Sequence, residues 1–290
     1  MELHQLRYFC AIAETGSFSR AAEHTHVSQP SLSQQIRKLE DELGARLFDR
    51  LGRKVRLTEL GRTFLPRARA VLRDLEAARS EVAERKTVIS GPVCIGIIPT
   101  IAPYFLPPVL AAFSRKYPAA RLTVVEEITP LLLEKLRAGI MDMAIVALPL
   151  DVRGHEFNSF RLMTEKLFAV LPKQHELSRR RSLSLAELAC EPFLLLRDGH
   201  CFRKTAISAC KRARLNPQIV FESGQFSSIL SMVSAGLGVS IVPAMAVEKR
   251  SGCCFIPLAD EHAARAIGAV TLKGKSLTRV SEGFLAHLGL

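Results

Sequence analysis

The stretch from residue 28 to residue 44 constrains the fold most, because it carries every signal of one complete helix. Ser28 can cap the N-terminus, and Pro30 falls in the first turn, where the N–H that proline lacks would have no partner. Gly44 supplies a C-terminal stop. The apolar residues between them recur at steps of four, three and four: Leu32, Ile36, Leu39 and Leu43. The sequence therefore predicts a helix that buries one leucine-rich face.

Two shorter helices are predicted ahead of this one. Apolar residues from Leu3 to Ala13 recur at three- and four-residue steps and stop near Gly16. Ser17 can cap a second, short helix that ends around residues 24–26. A short helix joined tightly to a following one is the outline of a helix-turn-helix, whose second helix enters the major groove of DNA.

The polar side of the helix over residues 28–44 carries residue types that contact DNA. Glutamine, serine, arginine and lysine side chains reach base edges and phosphates in a major groove. The candidate DNA-contacting set is Gln29, Ser31, Ser33 and Gln34 toward the bases and Arg37 and Lys38 toward the phosphate backbone, together with Pro30 in the first turn. A solvated face of an ordinary amphipathic helix has a similar composition, and that interpretation is favoured for this helix taken alone.

A basic turn after the helix weakens that alternative. Two short extended pieces, residues 47–50 and 55–57, flank a turn that carries Arg53 and Lys54. We expect them to form a wing that grips phosphate. Residues 46–73 hold nine basic and two acidic residues, and the whole chain has a net charge of +12. A chain this basic favours an anionic partner, with nucleic acid first.

A long helix is predicted to begin after Thr58, its N-cap. Its apolar residues are spaced by threes, fours and a seven: Leu60, Phe64, Val71, Leu75, Ala78 and Val82. A helix this long outside a compact core needs a partner, and a second copy of itself is the simplest one. We therefore expect residues 59–90 to be a dimerising linker that presents two recognition helices to a pseudo-palindromic site on double-stranded DNA.

These segments resemble the winged helix-turn-helix of LysR-type transcriptional regulators. The resemblance is nearly continuous from residue 18 to residue 61 and is carried by residues 18–22, 27–36, 39–44, 47–50 and 57–61. It implies a DNA-binding domain over residues 1–58. It also implies a transcriptional activator that works with RNA polymerase and assembles as a homotetramer.

After residue 90 the pattern changes to alternating strands and helices. A first set has strands at 93–98, 122–126 and 143–148, with helices near 103–116 and 130–138. A second set has strands at 167–171, 193–196, 219–222 and 239–242, helices near 202–214 and 225–235, and a late strand at 267–272 that can return to the first set. This order predicts an α/β fold with mostly parallel sheets. It resembles the two-lobed, periplasmic-binding-protein-like effector domain of the LysR family, here over residues 91–290.

Thr100 and Thr129 each follow a predicted strand and precede a predicted helix. A hydroxyl and free backbone N–H groups then lie at strand ends, where open α/β sheets bind small polar molecules. Plain helix capping is the other interpretation of each threonine. Effectors of the LysR family contact these loops, so the resemblance favours effector binding.

Cys201 is the candidate reactive thiol among seven cysteines. It follows His200 and precedes Arg203 and Lys204 at the start of a predicted helix, and positive neighbours and a helix N-terminus favour the reactive thiolate. Cys210 lies nine residues on. In a helix their Cα atoms are about 13 Å apart, whereas a disulfide needs roughly 4.4–6.8 Å. Joining them would unwind the helix, so that oxidation would act as a two-state switch.

Residues 198–201 together with Cys210 resemble the sensing segment of OxyR-type peroxide regulators within the LysR family. The resemblance implies a redox-active pair and a set of effector-binding residues: Cys201 and Cys210 for the pair, and Thr100, Thr129, His200 and Arg265 for the effector. Other LysR regulators keep a cysteine here without oxidising it. Two effectors therefore stay open, hydrogen peroxide and a small organic anion in the cleft between the lobes.

Other function classes fit the sequence less well. A cysteine hydrolase would use Cys201 with His200, but adjacent residues cannot easily face each other as nucleophile and base, and no P-loop or dinucleotide-binding glycine motif is present. No cysteine spacing suits a zinc site, so we expect no catalytic site, metal or cofactor. No uncharged apolar run reaches the ~18 residues of a membrane span, and we expect a cytoplasmic chain.

Overall fold

The computed structural model describes residues 1–51, 54–82, 89–150, 152, 154–248 and 252–290. The first part of the chain is built from helices and one hairpin: α1 (Leu3–Thr15), α2 (Phe18–His24), α3 (Gln29–Leu43), β1 (Phe48–Leu51), β2 (Lys54–Leu57) and α4 (Glu59–Val82). Buried apolar residues from all four helices surround Phe9 and form one core. None of the helices in these ranges is long and apolar enough to cross a membrane.

The ends of these helices lie where the sequence placed them. The hydroxyls of Ser17 and Ser28 each accept the backbone N–H three residues on, at 3.4 Å, and so cap α2 and α3. Gly16 and Gly44 close α1 and α3 in the left-handed region, with φ values of 62° and 64°. The predicted helix-turn-helix is confirmed, with α3 as its second helix.

The hairpin of β1 and β2 is tied to both neighbouring helices. The Glu40 carboxylate of α3 accepts the backbone N–H groups of Leu47 and Phe48 at 2.7 and 3.2 Å. Thr58 caps α4, since its hydroxyl accepts the N–H of Gly61 at 2.9 Å. A Cβ at Gly61 would lie 2.1 Å from the Leu47 carbonyl oxygen. Glycine at this position therefore lets α4 pack closely against the backbone that leads into β1. The wing is therefore fixed between α3 and α4.

The rest of the chain forms an α/β domain. Its strands are β3 (Gly91–Ile97), β4 (Ala120–Glu126), β5 (Met143–Leu148), β6 (Phe157–Pro172), β7 (Pro192–Leu196), β8 (Gln218–Ser223), β9 (Ser240–Pro243), β10 (Cys253–Pro257) and β11 (Ala264–Leu272). Its helices are α5 (Ala102–Lys116), α6 (Thr129–Arg137), α7 (Cys201–Arg212), α8 (Phe226–Ser234) and α9 (Arg279–His287). Strands and helices alternate along most of this domain, as the sequence predicts.

The long strand β6 joins two lobes of this domain. The main sheet has the order β10-β6-β11-β5-β3-β4, and β9 also pairs with β6. Residues 157–166 of β6 pair with β11 in the first lobe, and residues 167–172 pair with β9 and β10 in the second. A separate parallel pair, β7 and β8, belongs to the second lobe. Each lobe has its own apolar core.

The late strand returns to the first lobe as β11, as expected, but the prediction of mostly parallel sheets is wrong in part. Among the described strands, β3 pairs in parallel with β4 and β5, and β7 with β8, whereas β6, β9, β10 and β11 form antiparallel ladders. The reason is the double crossing between lobes, which brings β6 and β11 side by side in opposite directions without a crossover helix.

Three elements escaped the sequence prediction. The first half of β6 is mostly exposed, and its buried and exposed residues do not alternate strictly. This segment is therefore a strand because it pairs with β11, and its local sequence pattern does not predict one. The strand β10 and the helix α9 were also not predicted. The strand β10 has only five residues, and Gly283, a weak helix former, interrupts the sequence of α9.

Candidate functional site

The helix α3 presents most of the predicted DNA-contacting residues to solvent. The exposed members of the set are Gln29, Pro30, Ser31, Gln34, Arg37 and Lys38. They form a polar and basic face of the kind that pairs with base edges and phosphates. Arg53 and the side chain of Lys54 lie outside the described part of the chain.

Ser33 differs from the other members of this set. Its side chain is 8% exposed, and its hydroxyl accepts a hydrogen bond from the Gln29 side-chain amide at 2.9 Å. It stands beside Leu32, on the side of α3 that packs into the domain core. In this structure Ser33 is not available to a base, and it orients Gln29 instead.

Cys201 and Cys210 lie on the same helix, α7, and both are free thiols. The helix is continuous between them, so their Cα atoms are about 13 Å apart at a rise of 1.5 Å per residue. Cys210 is fully buried in the core of the second lobe. Burial raises the pKa of its thiol to about 11, and it is therefore protonated at neutral pH.

Three of the predicted effector-binding residues converge on Cys201. Thr100 follows β3, Thr129 is the first residue of α6, and Arg265 lies in β11. The Arg265 guanidinium donates to the Thr100 hydroxyl at 2.9 Å and to the Thr100 carbonyl at 3.1 Å. It also lies over the Phe202 ring, 5.1 Å from the ring centre. Residues far apart in the sequence thus form one polar pocket around the thiol.

The Cys201 thiol is held in its protonated form. Burial raises its pKa, while the charge of Arg265 and then the hydroxyls of Thr129 and Thr100 act in the opposite direction without cancelling that effect. Ionisation of Cys201 therefore depends on Arg265, the cation that faces it.

The expectation that sequence neighbours of Cys201 favour its thiolate is wrong for Arg203 and His200, whereas the backbone N–H of Phe202 at the start of α7 does lower the pKa of the thiol. Arg203 turns away and pairs with Asp198 at 2.7 Å and with Glu222. His200 is 8% exposed, and burial, followed by the charge of Arg197, lowers its pKa. His200 is thus held neutral and supplies no positive charge to the thiol.

The Thr129 hydroxyl is a free polar group in this pocket. It lies close enough to the Cys201 thiol to lower its pKa. It is buried, yet it makes no hydrogen bond of normal geometry within the described residues. A buried hydroxyl without a partner can donate a hydrogen bond to a small molecule bound beside the thiol, or accept one from it.

Glu165 is a residue of this site that the sequence did not reveal. Its carboxylate accepts from Arg265 Nε at 2.5 Å and from the backbone N–H of Met245 at 3.0 Å. The side chains of Arg265 and Glu165 are 1% and 7% exposed, so the ion pair is buried. Glu165 fixes the guanidinium that faces Cys201. Its partner is 100 residues away, and no local pattern marks the pair.

A cleft of about 600 Å³ opens between α6 and α7, and Cys201 lies in its wall. Thr129 and Arg265 line the cleft beside it. The α7 side continues with Lys204, Thr205, Ser208 and Arg212, and the opposite side is mostly apolar. Among the described residues no group of three or more histidine, cysteine or acidic side chains could hold a metal ion.

Comparisons with known families place both parts of the chain. Residues 3–62 match the family described as "Bacterial regulatory helix-turn-helix protein, lysR family", and residues 86–289 match the "LysR substrate binding domain". A curated relative, the "DNA-binding transcriptional dual regulator OxyR" of Escherichia coli, is 36% identical over 280 residues. The match covers 96% of this chain and 91% of that protein.

Solved structures show the same architecture. A cysteine variant of full-length OxyR from Pseudomonas aeruginosa superposes with a TM-score of 0.83 at 31% identity, covering 99% of this chain and 93% of that one. A cysteine variant of OxyR from Corynebacterium glutamicum with hydrogen peroxide bound gives a TM-score of 0.65 at 34% identity, with coverage of 99% and 93%.

Proposed function

Because the chain belongs to the LysR family of DNA-binding transcriptional regulators, we propose that it senses hydrogen peroxide through a disulfide between Cys201 and Cys210. The observation that carries the proposal is the convergence of Thr100, Thr129 and Arg265 on the Cys201 thiol in the wall of an open cleft. The similarity to OxyR proteins, one of them solved with hydrogen peroxide bound, supports it.

The chemistry needs only the two thiols and peroxide. Arg265 stabilises the Cys201 thiolate, whose sulfur attacks one peroxide oxygen. The O–O bond breaks, the second oxygen leaves as water with a proton, and Cys201 becomes a sulfenic acid. The Cys210 sulfur then attacks the Cys201 sulfur, its proton and the hydroxyl leave as a second water, and the disulfide forms. Two thiols are oxidised while one peroxide is reduced to two waters.

The disulfide acts as a switch because it cannot form while α7 is a continuous helix. The Cα atoms of Cys201 and Cys210 must approach from about 13 Å to roughly 4.4–6.8 Å, which requires α7 to unwind. Phe202 and Cys210 are buried in the core of the second lobe, so unwinding α7 repacks that core. Oxidation therefore changes the shape of the lobe, the kind of bistable element on which redox regulation depends.

The DNA-binding half of the proposal rests on α3 and α4. The face of α3 enters the major groove, and α4 pairs with the α4 of a second copy. Two apolar residues of α4, Leu60 and Val71, are 57% and 46% exposed in the single chain, as expected of a helix that packs against another copy. Contacts between effector domains complete a tetramer, and the bound regulator works with RNA polymerase at a pseudo-palindromic operator.

Titration with hydrogen peroxide tests the sensing proposal. One equivalent of peroxide added to the reduced chain is expected to give a Cys201–Cys210 disulfide in peptide mass spectrometry. The Cys210→Ser variant should stop at a Cys201 sulfenic acid that dimedone traps. In the Cys201→Ser variant Cys210 should stay reduced, because it is fully buried. A wild-type Cys201 that stays reduced under micromolar peroxide contradicts the proposal and favours an organic anion as the effector.

The pH dependence of Cys201 oxidation follows from the direction of its pKa shift. Because the pKa is raised, the thiolate is the minor form at neutral pH, and its fraction grows about tenfold for each pH unit gained below the pKa. We expect the second-order rate constant with peroxide to rise about tenfold per unit between about pH 6 and 8, measured at constant ionic strength. A rate that is flat over this range would show that Cys201 is already ionised.

A further inference from the structure

We propose that the cleft beside Cys201 admits organic hydroperoxides, so that this thiol responds to ROOH as well as to hydrogen peroxide; the inference rests on the proposed function. The cleft measures about 600 Å³. Hydrogen peroxide has only two heavy atoms, and a water molecule takes up about 30 Å³. The open volume lies instead in the range of pockets that hold organic molecules, about 300–1,000 Å³.

The wall opposite α7 has the apolar character that an organic group needs. Its side chains include Pro130, Leu133, Leu148, Leu150 and Val152. Two charged residues of α6 also line this wall, Glu134 and Arg137, and Arg137 does not present a free charge. Its guanidinium pairs with Glu156, with Nε donating at 2.9 Å, and lies over the Phe157 ring at 5.3 Å. Apolar groups entering here lose contact with water, which stabilises their binding.

A second cavity adjoins the cleft. It measures about 350 Å³ and shares four lining residues with the cleft: Leu148, Pro149, Leu150 and Ala266. Ser159 and Arg161 complete its lining. Further apolar surface for a longer organic group therefore lies next to the cleft, at the end of β5.

The polar groups around the thiol fix which end of a hydroperoxide faces Cys201. Thr100 is 3% exposed and is held behind Arg265, whereas Cys201, Thr129 and Arg265 line the cleft itself. The O–O group hydrogen-bonds to Thr129 and Arg265 beside the sulfur. The carbon group then points away from the thiol, into the open cleft, where no described wall blocks it.

The reaction balances as it does for hydrogen peroxide. The Cys201 thiolate attacks the terminal hydroxyl oxygen of ROOH, the O–O bond breaks, and the alkoxide leaves and takes a proton to become the alcohol ROH. Cys201 is left as a sulfenic acid, and Cys210 displaces its hydroxyl as water. The products are one disulfide, one alcohol and one water.

Cumene hydroperoxide is the probe, and two matched tryptophan variants test where its organic group lies. Ser208 is an exposed residue of α7 that lines the cleft, about two turns from Cys201, so Ser208→Trp fills the cleft without touching the pocket around the thiol. Ser114 is an exposed serine of α5 outside the cleft, and Ser114→Trp is the control. Disulfide formation in the full chain is followed by mass spectrometry with each oxidant.

We expect both oxidants to give the Cys201–Cys210 disulfide in the wild-type chain. Ser208→Trp should slow the cumene hydroperoxide reaction at least about tenfold, a loss of about 1.4 kcal/mol, and change the hydrogen peroxide reaction less than about twofold. Ser114→Trp should change neither. A wild-type chain that reacts with hydrogen peroxide alone overturns this inference and leaves the proposed function intact, whereas no reaction with either oxidant overturns both. Equal slowing of both oxidants by Ser208→Trp, or of neither, shows that the organic group does not lie in the cleft.

Discussion

Replacing Arg265 by methionine is expected to slow the oxidation of Cys201 by peroxide about 100-fold at neutral pH, the size of effect seen when one preorganised charged donor is removed from a reacting site. Arg265 is the charged residue whose field lowers the pKa of the buried thiol. Without it, only the hydroxyls of Thr129 and Thr100 and the Phe202 N–H still oppose the effect of burial on the pKa, and the thiolate fraction falls. The methionine keeps an unbranched chain over the Phe202 ring, so packing changes little. Stopped-flow rates of thiol loss measure the effect.

The same variant is expected to lose about 3–5 kcal/mol of unfolding free energy, because the Glu165 carboxylate would stay buried without its cation. A second variant separates stability from chemistry. Adding Glu165→Gln to Arg265→Met removes the uncompensated charge and leaves a side-chain oxygen that can accept from the Met245 N–H. We expect most of the stability to return while oxidation stays slow. A double variant that reacts at the wild-type rate would show that Arg265 serves only the fold.

Replacing Val71 by lysine is expected to split the dimer and lower operator affinity at least about 100-fold, because one half-site then binds alone. Val71 and Leu60 are eleven residues apart, which is about three helical turns, so they share one face of α4. Lysine at this face buries a charge between two helices. The added positive charge would by itself favour DNA, so a loss of affinity cannot come from repulsion.

Glu76→Gln is the matched control for this variant. It adds the same unit of positive charge to an exposed position on a different face of α4. The control is expected to keep the dimer and the wild-type affinity, with both measured at one salt concentration. Sedimentation of Val71→Lys should give the mass of one chain, 32.0 kDa. A Val71→Lys chain that remains dimeric would place the dimer contact elsewhere.

The DNA-binding end of the molecule could be predicted from the sequence because its signals are local. The caps of Ser17, Ser28 and Thr58 and the stops of Gly16 and Gly44 act within a few residues, and the structure places each as predicted. Periodicity also gave the alternating strands and helices of the effector domain. It could not give their directions, since β6 and β11 owe their antiparallel pairing to a chain that crosses twice between lobes.

The candidate site could be predicted only in part because its decisive contacts are distant. Residues near Cys201 in sequence suggested its electrostatics, yet Arg203 pairs with Asp198 and Glu222, and the cation that matters, Arg265, comes from β11. Its partner Glu165 carries no sequence signal. Ser33 shows the same limit in α3, since the helical pattern put it on the polar side while packing buries it.

Hydrogen exchange of α7 tests the central claim most directly, that oxidation of Cys201 unwinds the helix it shares with Cys210. In the reduced chain the amides of Cys201–Arg212 should exchange slowly, as in a packed helix. After one equivalent of peroxide and confirmation of the disulfide, we predict that the amides between the two cysteines lose their protection, while those of α8 keep most of theirs. A confirmed disulfide with unchanged exchange across α7 would contradict the account.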